Sequence, residues 1–342
     1  MSAGSLKANE LTLADWVNAR GTELAEQYAQ VAAGATIVTH CPTGLARLDD
    51  AGLLELGVCT VVLGHEGDGK SALGLQFLEG AARAGFECQG YWPEDPRRFI
   101  ADRILGSATG ESASKLRRFK VSGNVPDRLR LAMAGAENWA RRIRVDDRRL
   151  ESRELVEGIK ARWTPTTRLV VVDYAQVLSS ETDETSVERV ITKVVWELNE
   201  LAKERNASIV LLSQVRTQVK ERGRRVFDSW RQRNPSGAIA IESVEGYRPL
   251  AGDGQWAPNA LGQKARAVLS WFRPRSWMKM HGADVKDDLA QLLLLKSNYG
   301  PAMETLSLHW HGPTTRISDP KAVTSDSKIA TGGTIKESPC PF

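Results

Sequence analysis

Gly64-His65-Glu66-Gly67-Asp68-Gly69-Lys70-Ser71 satisfies every fixed position of the pattern G-x-x-x-x-G-K-S/T. Each fixed residue has a physical reason. Glycines let successive backbone N–H groups curl around a phosphate, and a helix that starts where the loop ends aims its positive N-terminus at the same anion. Lys70 brings a cation to β- and γ-phosphate oxygens, and the Ser71 hydroxyl is placed to ligate Mg2+. A glycine-rich chain can produce such a match by chance, but the flanks argue against that. The apolar run Cys59-Thr60-Val61-Val62-Leu63 enters the loop, and Ala72-Leu73-Gly74-Leu75-Gln76-Phe77 leaves it as a helix. ATP and Mg2+ are the expected ligands, with Gly64, Gly67, Gly69, Lys70, Ser71 and Ala72 around the phosphates.

Outward from this loop, short apolar strands alternate with amphipathic helices, which predicts an α/β fold with a mostly parallel sheet. Strands are expected at Val58–Leu63, Phe86–Trp92, Leu169–Asp173, Ser208–Ser213, Ala267–Phe272, Leu289–Leu295 and Thr305–Trp310, the last three joined by turns. Helices are expected at Lys70–Ala84, Arg97–Leu105 and Val187–Arg205. Ahead of them Leu13, Trp16, Val17, Leu24, Tyr28 and Val31 recur at helical spacing, so Leu11–Ala33 reads as a helix capped by Thr12 or Asp15. It is either an ordinary packing helix or an arm that docks on a neighbouring subunit. The organisation read from this is a helical arm or linker over 1–35, one ATPase domain over 36–318 and a small, polar, flexible tail over 319–342.

Composition narrows the class. Of 342 residues, 42% are hydrophobic and 26% charged, a globular balance. A net charge of +4 is too small to argue for a nucleic-acid partner by itself. No apolar run is long enough to span a bilayer, and the N-terminus lacks the apolar core of a signal peptide. Cys41, Cys59, Cys88 and Cys340 form no C-x-x-C pair. A membrane span, a disulfide scaffold and a zinc module are excluded, and a cytoplasmic protein with reduced thiols is expected.

Hydrolysis needs carboxylates beside the cradle. Asp173 ends the apolar run Leu169-Val170-Val171-Val172, where it suits a group holding Mg2+ through its water shell. Glu94 follows the strand Phe86–Trp92 and is the candidate that polarises the attacking water. Asp95 is its rival, and the turn Pro93-Glu94-Asp95-Pro96 reads equally as an acidic cap for the next helix. Gln214 ends the strand after Asp173, placed to feel a γ-phosphate and transmit its loss to the following loop.

Taken in order, these residues resemble the C-terminal ATPase domain of the DnaB-type replicative helicases, members of the RecA-like family. Thr43-Gly44-Leu45-Ala46-Arg47-Leu48-Asp49 is similar to the T-G-φ-x-x-L-D lead-in of that family (φ apolar), and Glu94 falls where it carries a catalytic glutamate. Val145-Asp146-Asp147 resembles its I-D-D segment, Asp173-Tyr174-Ala175-Gln176 its D-Y-L-Q, and Leu211-Leu212-Ser213-Gln214 its L-S-Q. Lys296 and Gly300-Pro301 are similar to its K-x-R-N-G-P. The ordered set runs from Thr43 to about Asp319. It implies a RecA-like P-loop NTPase core, ATP and Mg2+ at subunit interfaces, and a homo-oligomer, most simply a hexameric ring. Catalytic roles would fall to Glu94, Lys70, Asp173, Gln214 and, from the neighbouring subunit, Lys296; Ser71 and Asp173 would hold the metal. The implied activity is a DNA helicase translocating on single-stranded DNA in replication, with other replication proteins as further partners. Asn298 stands where the family offers an arginine to the neighbour's γ-phosphate, which implies slow hydrolysis. The 35 residues before the ATPase are expected to hold no counterpart of the family's globular N-terminal domain. Both departures suit an alternative: a helicase-like, DNA-binding ATPase that loads or regulates other factors without processive unwinding. A RecA-like recombination protein fits the fold but not the D-Y-x-Q and L-S-Q set.

Two stretches are basic. Between Gln214 and Ser236 lie Arg216, Lys220, Arg222, Arg224, Arg225, Arg231 and Arg233 against two acids, with Phe227 and Trp230 interleaved. Read as a loop lining a central channel, the run would grip phosphates and stack bases; otherwise it is a solvated polar loop. Lys115–Arg149 holds eleven basic residues against four acids, with Leu129, Leu131, Met133 and Trp139 suggesting helices. There a solvated or intersubunit face is the expectation.

Overall fold

The computed structural model describes residues 12–173, 184–255, 257, 260–297 and 305–320. The first half of the chain contains α1 (Leu13–Ala32), α2 (Ala46–Asp50), β1 (Cys59–Gly64), α3 (Lys70–Arg83), β2 (Glu87–Tyr91) and α4 (Arg97–Thr109). Then come α5 (Ala113–Arg117), α6 (Val125–Ala140), β3 (Ile143–Asp146), α7 (Ser152–Ala161), β4 (Thr167–Asp173) and α8 (Glu184–Arg205). The second half adds β5 (Ser208–Gln214), α9 (Gln218–Arg233), β6 (Ala267–Phe272), α10 (Pro274–Met280), β7 (Leu289–Ser297), β8 (Thr305–His311) and β9 (Arg316–Ser318). The expected elements lie within a few residues of these bounds. The short elements α2, α5, β3, α7 and β9 are not among those expected, and α10 replaces an expected turn.

The sheet order is β3-β2-β4-β5-β1-β6-β7-β8-β9. Strands from β3 through β6 in that order are parallel; β7, β8 and β9 extend the sheet antiparallel. Parallel strands are covered on both faces, so β1 is buried throughout and mostly apolar. Val61 and Leu63 enter a core shared with α7 and α8, while Val62 enters one shared with α3.

α1 begins with a reciprocal cap: the Thr12 side chain accepts from the Asp15 N–H, and the Asp15 carboxylate accepts from the Thr12 N–H. It buries none of its residues, and Leu13, Trp16, Val17, Tyr28 and Val31 are all more than half exposed. Asp319, expected to open the tail, instead accepts from the N–H groups of Ala46 and Arg47 at the start of α2. Residues 321–342 lie outside the described residues.

The lead-in before β1 is tied down from both sides. The Asp49 carboxylate accepts from the N–H and hydroxyl of Thr43, both at 2.6 Å, while Leu48 is fully buried. Gln76 on α3 donates to the Thr43 carbonyl. Gly80, one turn later, brings α3 so close that a Cβ there would overlap the Thr43 carbonyl. This contact sets how α3, and the loop that starts it, sits over the sheet. Gly80→Ala should therefore lower stability by about 1–3 kcal/mol. Gly135→Ala in α6, where a Cβ meets open space, should be neutral or stabilise by roughly 0.5–1 kcal/mol. Urea midpoints of the two variants check the contrast.

Candidate functional site

The carboxyl ends of β1, β2, β4 and β5 lie side by side where the strand order reverses, the usual ligand crevice of an open α/β sheet. Register aligns them: Gly64 pairs with Gln214, Asp173 with Leu212 and Tyr91 with Val172. The cleft at these ends measures about 460 Å³, and Lys70, Ser71, Glu94, Asp173 and Gln214 all line it. A larger groove of about 730 Å³ between α3, α4 and α6 holds none of these groups.

Within the loop, Gly67 and Gly69 take positive φ (79° and 90°), a backbone that favours glycine. Gly69 has a second constraint, since a Cβ would run into the Trp310 ring. Lys70 Nζ donates to the carbonyls of Gly64 (3.0 Å) and His65 (2.8 Å), folding the side chain back over the loop. Burial pushes the Lys70 pKa down, opposed by the charges of Asp173, Asp68, Glu66 and Glu94. Burial raises the Asp173 pKa, opposed by the nearby Ser71 hydroxyl and the charge of Lys70. Ser71 and Asp173 thus line the same cleft, an arrangement that suits a shared metal.

The two acids of the Glu94–Asp95 turn differ in surroundings. Asp95 is ion-paired with Arg103 of α4 at 2.5 Å, whereas Glu94 is exposed in the cleft. Asp147, from the segment resembling I-D-D, accepts from the backbone and guanidinium of Arg97 and so fixes the start of α4. Asp146 binds Arg148 and Arg162, which hold its carboxyl well below the usual range.

Sequence reasoning gives the loop's variable positions no role, yet His65 has one. Its ring is buried, its Nε2 lies 2.6 Å from the Tyr247 carbonyl, and it packs on Trp277. Tyr247 stacks on Trp277 and reaches His281 through its hydroxyl; His281 stacks on Phe227 of α9. The loop and α9 therefore share one aromatic cluster.

That α9 exists is a correction. The basic run expected to be a loop is a helix from Gln218 to Arg233, buried through Val219, Gly223 and Phe227. Arg222 points inward, bonding the carbonyls of Gly246 and Arg248 and the Asp253 carboxylate. Arg216 binds the Gly252 carbonyl, Arg231 the Gly237 carbonyl and Arg233 its own helix at Ser229. Lys220, Arg224 and Arg225 are exposed. Lys296 is not in its own chain's cleft: it pairs with Val268, which is level with Val61, and donates to the Ala265 carbonyl. Asn298, Tyr174-Ala175-Gln176 and Gly300-Pro301 lie outside the described residues.

Comparison with known proteins agrees with this architecture. Residues 41–319 match the sequence profile of the DnaB-like helicase C-terminal domain. One solved structure, an ATPase domain by itself, has the same fold with a TM-score of 0.70 at 18% identity, covering 88% of this chain and 98% of that one. A DnaB-like replicative helicase, solved in a study of its interactions with primase, gives a TM-score of 0.68 at 19% identity. It covers 87% of this chain, and this chain spans 66% of its length. At such identities the likeness carries the fold alone, a RecA-like α/β sheet. No curated protein matches the sequence.

Burial holds the His65 pKa down to about 4, so the ring is neutral with Nε2–H donating to Tyr247. A depressed folded-state pKa contributes stability that is complete above the ordinary value of 6.5 and lost as pH falls toward 4. His65→Gln should flatten the stability difference between pH 7 and pH 4.5 by about 1–3 kcal/mol, as denaturant titrations of wild type and variant would show.

Proposed function

Because the chain belongs to the DnaB-like helicase C-terminal domain family, we propose that it is an ATP hydrolase that drives translocation on single-stranded DNA in replication, assembled as a hexameric ring. One juxtaposition supports this reading: a phosphate loop with its serine, two carboxylates and a strand-end amide come from four strand ends into one cleft. The residues suit ATP and Mg2+. Gly67 and Gly69 open the loop for backbone donors, and Lys70 supplies charge in a setting too buried for water to screen it. Ser71 and Asp173 would hold the metal. Bound ATP supplies the phosphoanhydride bond, with Mg2+ offsetting part of its charge. Glu94 would orient a water and accept its proton at the carboxylate. Gln214 would link the phosphate end of the cleft to Arg216 and α9.

The ring draws on two features. The apolar stripe of α1, which no described part of its own chain covers, suits packing on an adjacent subunit. Lys296, away from its own cleft, suits service in a neighbour's. Asn298 in place of the family's arginine favours the second reading, a DNA-binding ATPase that loads or regulates other factors. Unwinding of a forked duplex separates the two readings.

Lys70→Ala should abolish hydrolysis and most nucleotide binding, and Glu94→Gln should bind ATP yet turn it over at least ~100-fold more slowly. Wild-type turnover in the lysine variant would sink the reading; a dead Asp95→Asn beside an active Glu94→Gln would move the base by one residue. For DNA, Lys220, Arg224 and Arg225 are the residues to replace, since Arg222 is structural. Their joint change to alanine should weaken single-stranded DNA binding and reduce the log–log salt slope by roughly 0.7 for each phosphate no longer neutralised. An unchanged slope would return the helix to the status of a solvated surface.

A further inference from the structure

The phosphate loop carries two carboxylates, Glu66 and Asp68, against one cation, Lys70. Glu66 is exposed at the cleft. Asp68 is 5% exposed, and its Oδ2 has no hydrogen-bond partner among the described residues. Such a group works against anion binding, because it adds charge of the phosphates' own sign where little water screens it.

Arg273, in the turn between β6 and α10, stands beside it. Its Nη1 donates to the Gly67 carbonyl at 3.3 Å, its Nη2 pairs with Asp287, and its guanidinium lies 4.5 Å from the Trp310 ring centroid. From the same side the Trp271 indole donates to the Asp68 carbonyl at 2.7 Å. Burial pushes the Asp68 pKa up to about 6; Arg273 and then Lys70 oppose the rise, and Asp287 adds to it. The Trp277 indole N–H also favours the carboxylate without reaching hydrogen-bond geometry.

We propose that Arg273 is a positioning residue of the nucleotide site: by countering Asp68 and holding Gly67, it keeps the outer half of the phosphate loop able to accept an anion. The inference rests on reading the cleft as the nucleotide site. Lys70 would touch phosphate directly, whereas Arg273 acts through the loop. Without Arg273, Lys70 is left as the cation facing Glu66 and Asp68 of the loop. Asp68 then holds its proton to higher pH, so affinity for an anion improves as the solution is acidified.

The test is equilibrium binding of a fluorescent ATP analogue with Mg2+ at pH 6 and pH 8, on the full chain. Arg273→Gln should weaken binding about tenfold at pH 8 and clearly less at pH 6, and adding Asp68→Asn should restore it to within about twofold of wild type. A merely structural brace would not be rescued by removing a carboxylate, so a double variant as weak as the single one overturns the proposal. Should Arg273→Gln not fold, Asp68→Asn alone decides: it should tighten binding at pH 8 and flatten the pH profile, and an unaltered profile counts against the idea. Affinity lost in Lys70→Ala but intact in Arg273→Gln would overturn this inference alone. A folded wild type that binds no analogue would overturn the reading of the cleft and the inference with it.

Discussion

The parallel pairing of β1 with β5 is the constraint on which the site depends. With Gly64 level with Gln214, and Asp173 level with Leu212 on the far side of β5, the strand ends meet at one height. A slip of one residue would turn every side chain to the opposite face. Val61, Val62 and Leu63 resist such a slip because they fill different cores above and below the sheet. The apolar pattern of β1 thus fixes where Lys70 and Ser71 stand relative to Asp173.

Elements are legible in proportion to how local their signals are. The phosphate loop, the strand into it and Asp173 can be read because glycine spacing and an apolar run ending in an acid are contiguous in sequence. The pairing that sets Asp95 apart from Glu94 cannot, since its partner Arg103 comes two turns into α4. Nor can α9. Its buried positions, Val219, Gly223 and Phe227, recur every four residues, but arginines crowd the intervals and Gly223 reads as a breaker. The glycine is there because Tyr247 packs against it too closely for a side chain. Arg273 has no local signal at all, since its relation to the loop is made only when β6 pairs with β1.

Counting arginines in the basic run overstates the charge offered to solvent. Arg222 is engaged by two carbonyls and Asp253, anchoring α9 to the segment that carries Tyr247. That segment in turn meets His65 inside the phosphate loop. Close-packed interiors transmit displacement because they have no slack to absorb it. Movement of the loop at His65 must therefore repack the Tyr247, Trp277, His281 and Phe227 rings, and Phe227 lies on the helix that displays Lys220, Arg224 and Arg225. This route from the cleft to the basic surface runs through packing, separately from the covalent path through Gln214.

Uncovered apolar surface bears on assembly in the same way. In proteins most helical stability comes from burying an apolar face rather than from propensity. α1 has such a face, formed by Leu13, Val17, Leu24, Tyr28 and Val31, and buries none of it against the described part of its own chain. The capping pair Thr12 and Asp15 supplies only its start. On the ring reading a second copy covers the stripe, and the subunit that receives the arm is thereby placed to share Lys296 with a neighbouring cleft. Nucleotide site and arm would then be two sides of one contact, so that loss of the arm's apolar face would cost hydrolysis as well as assembly.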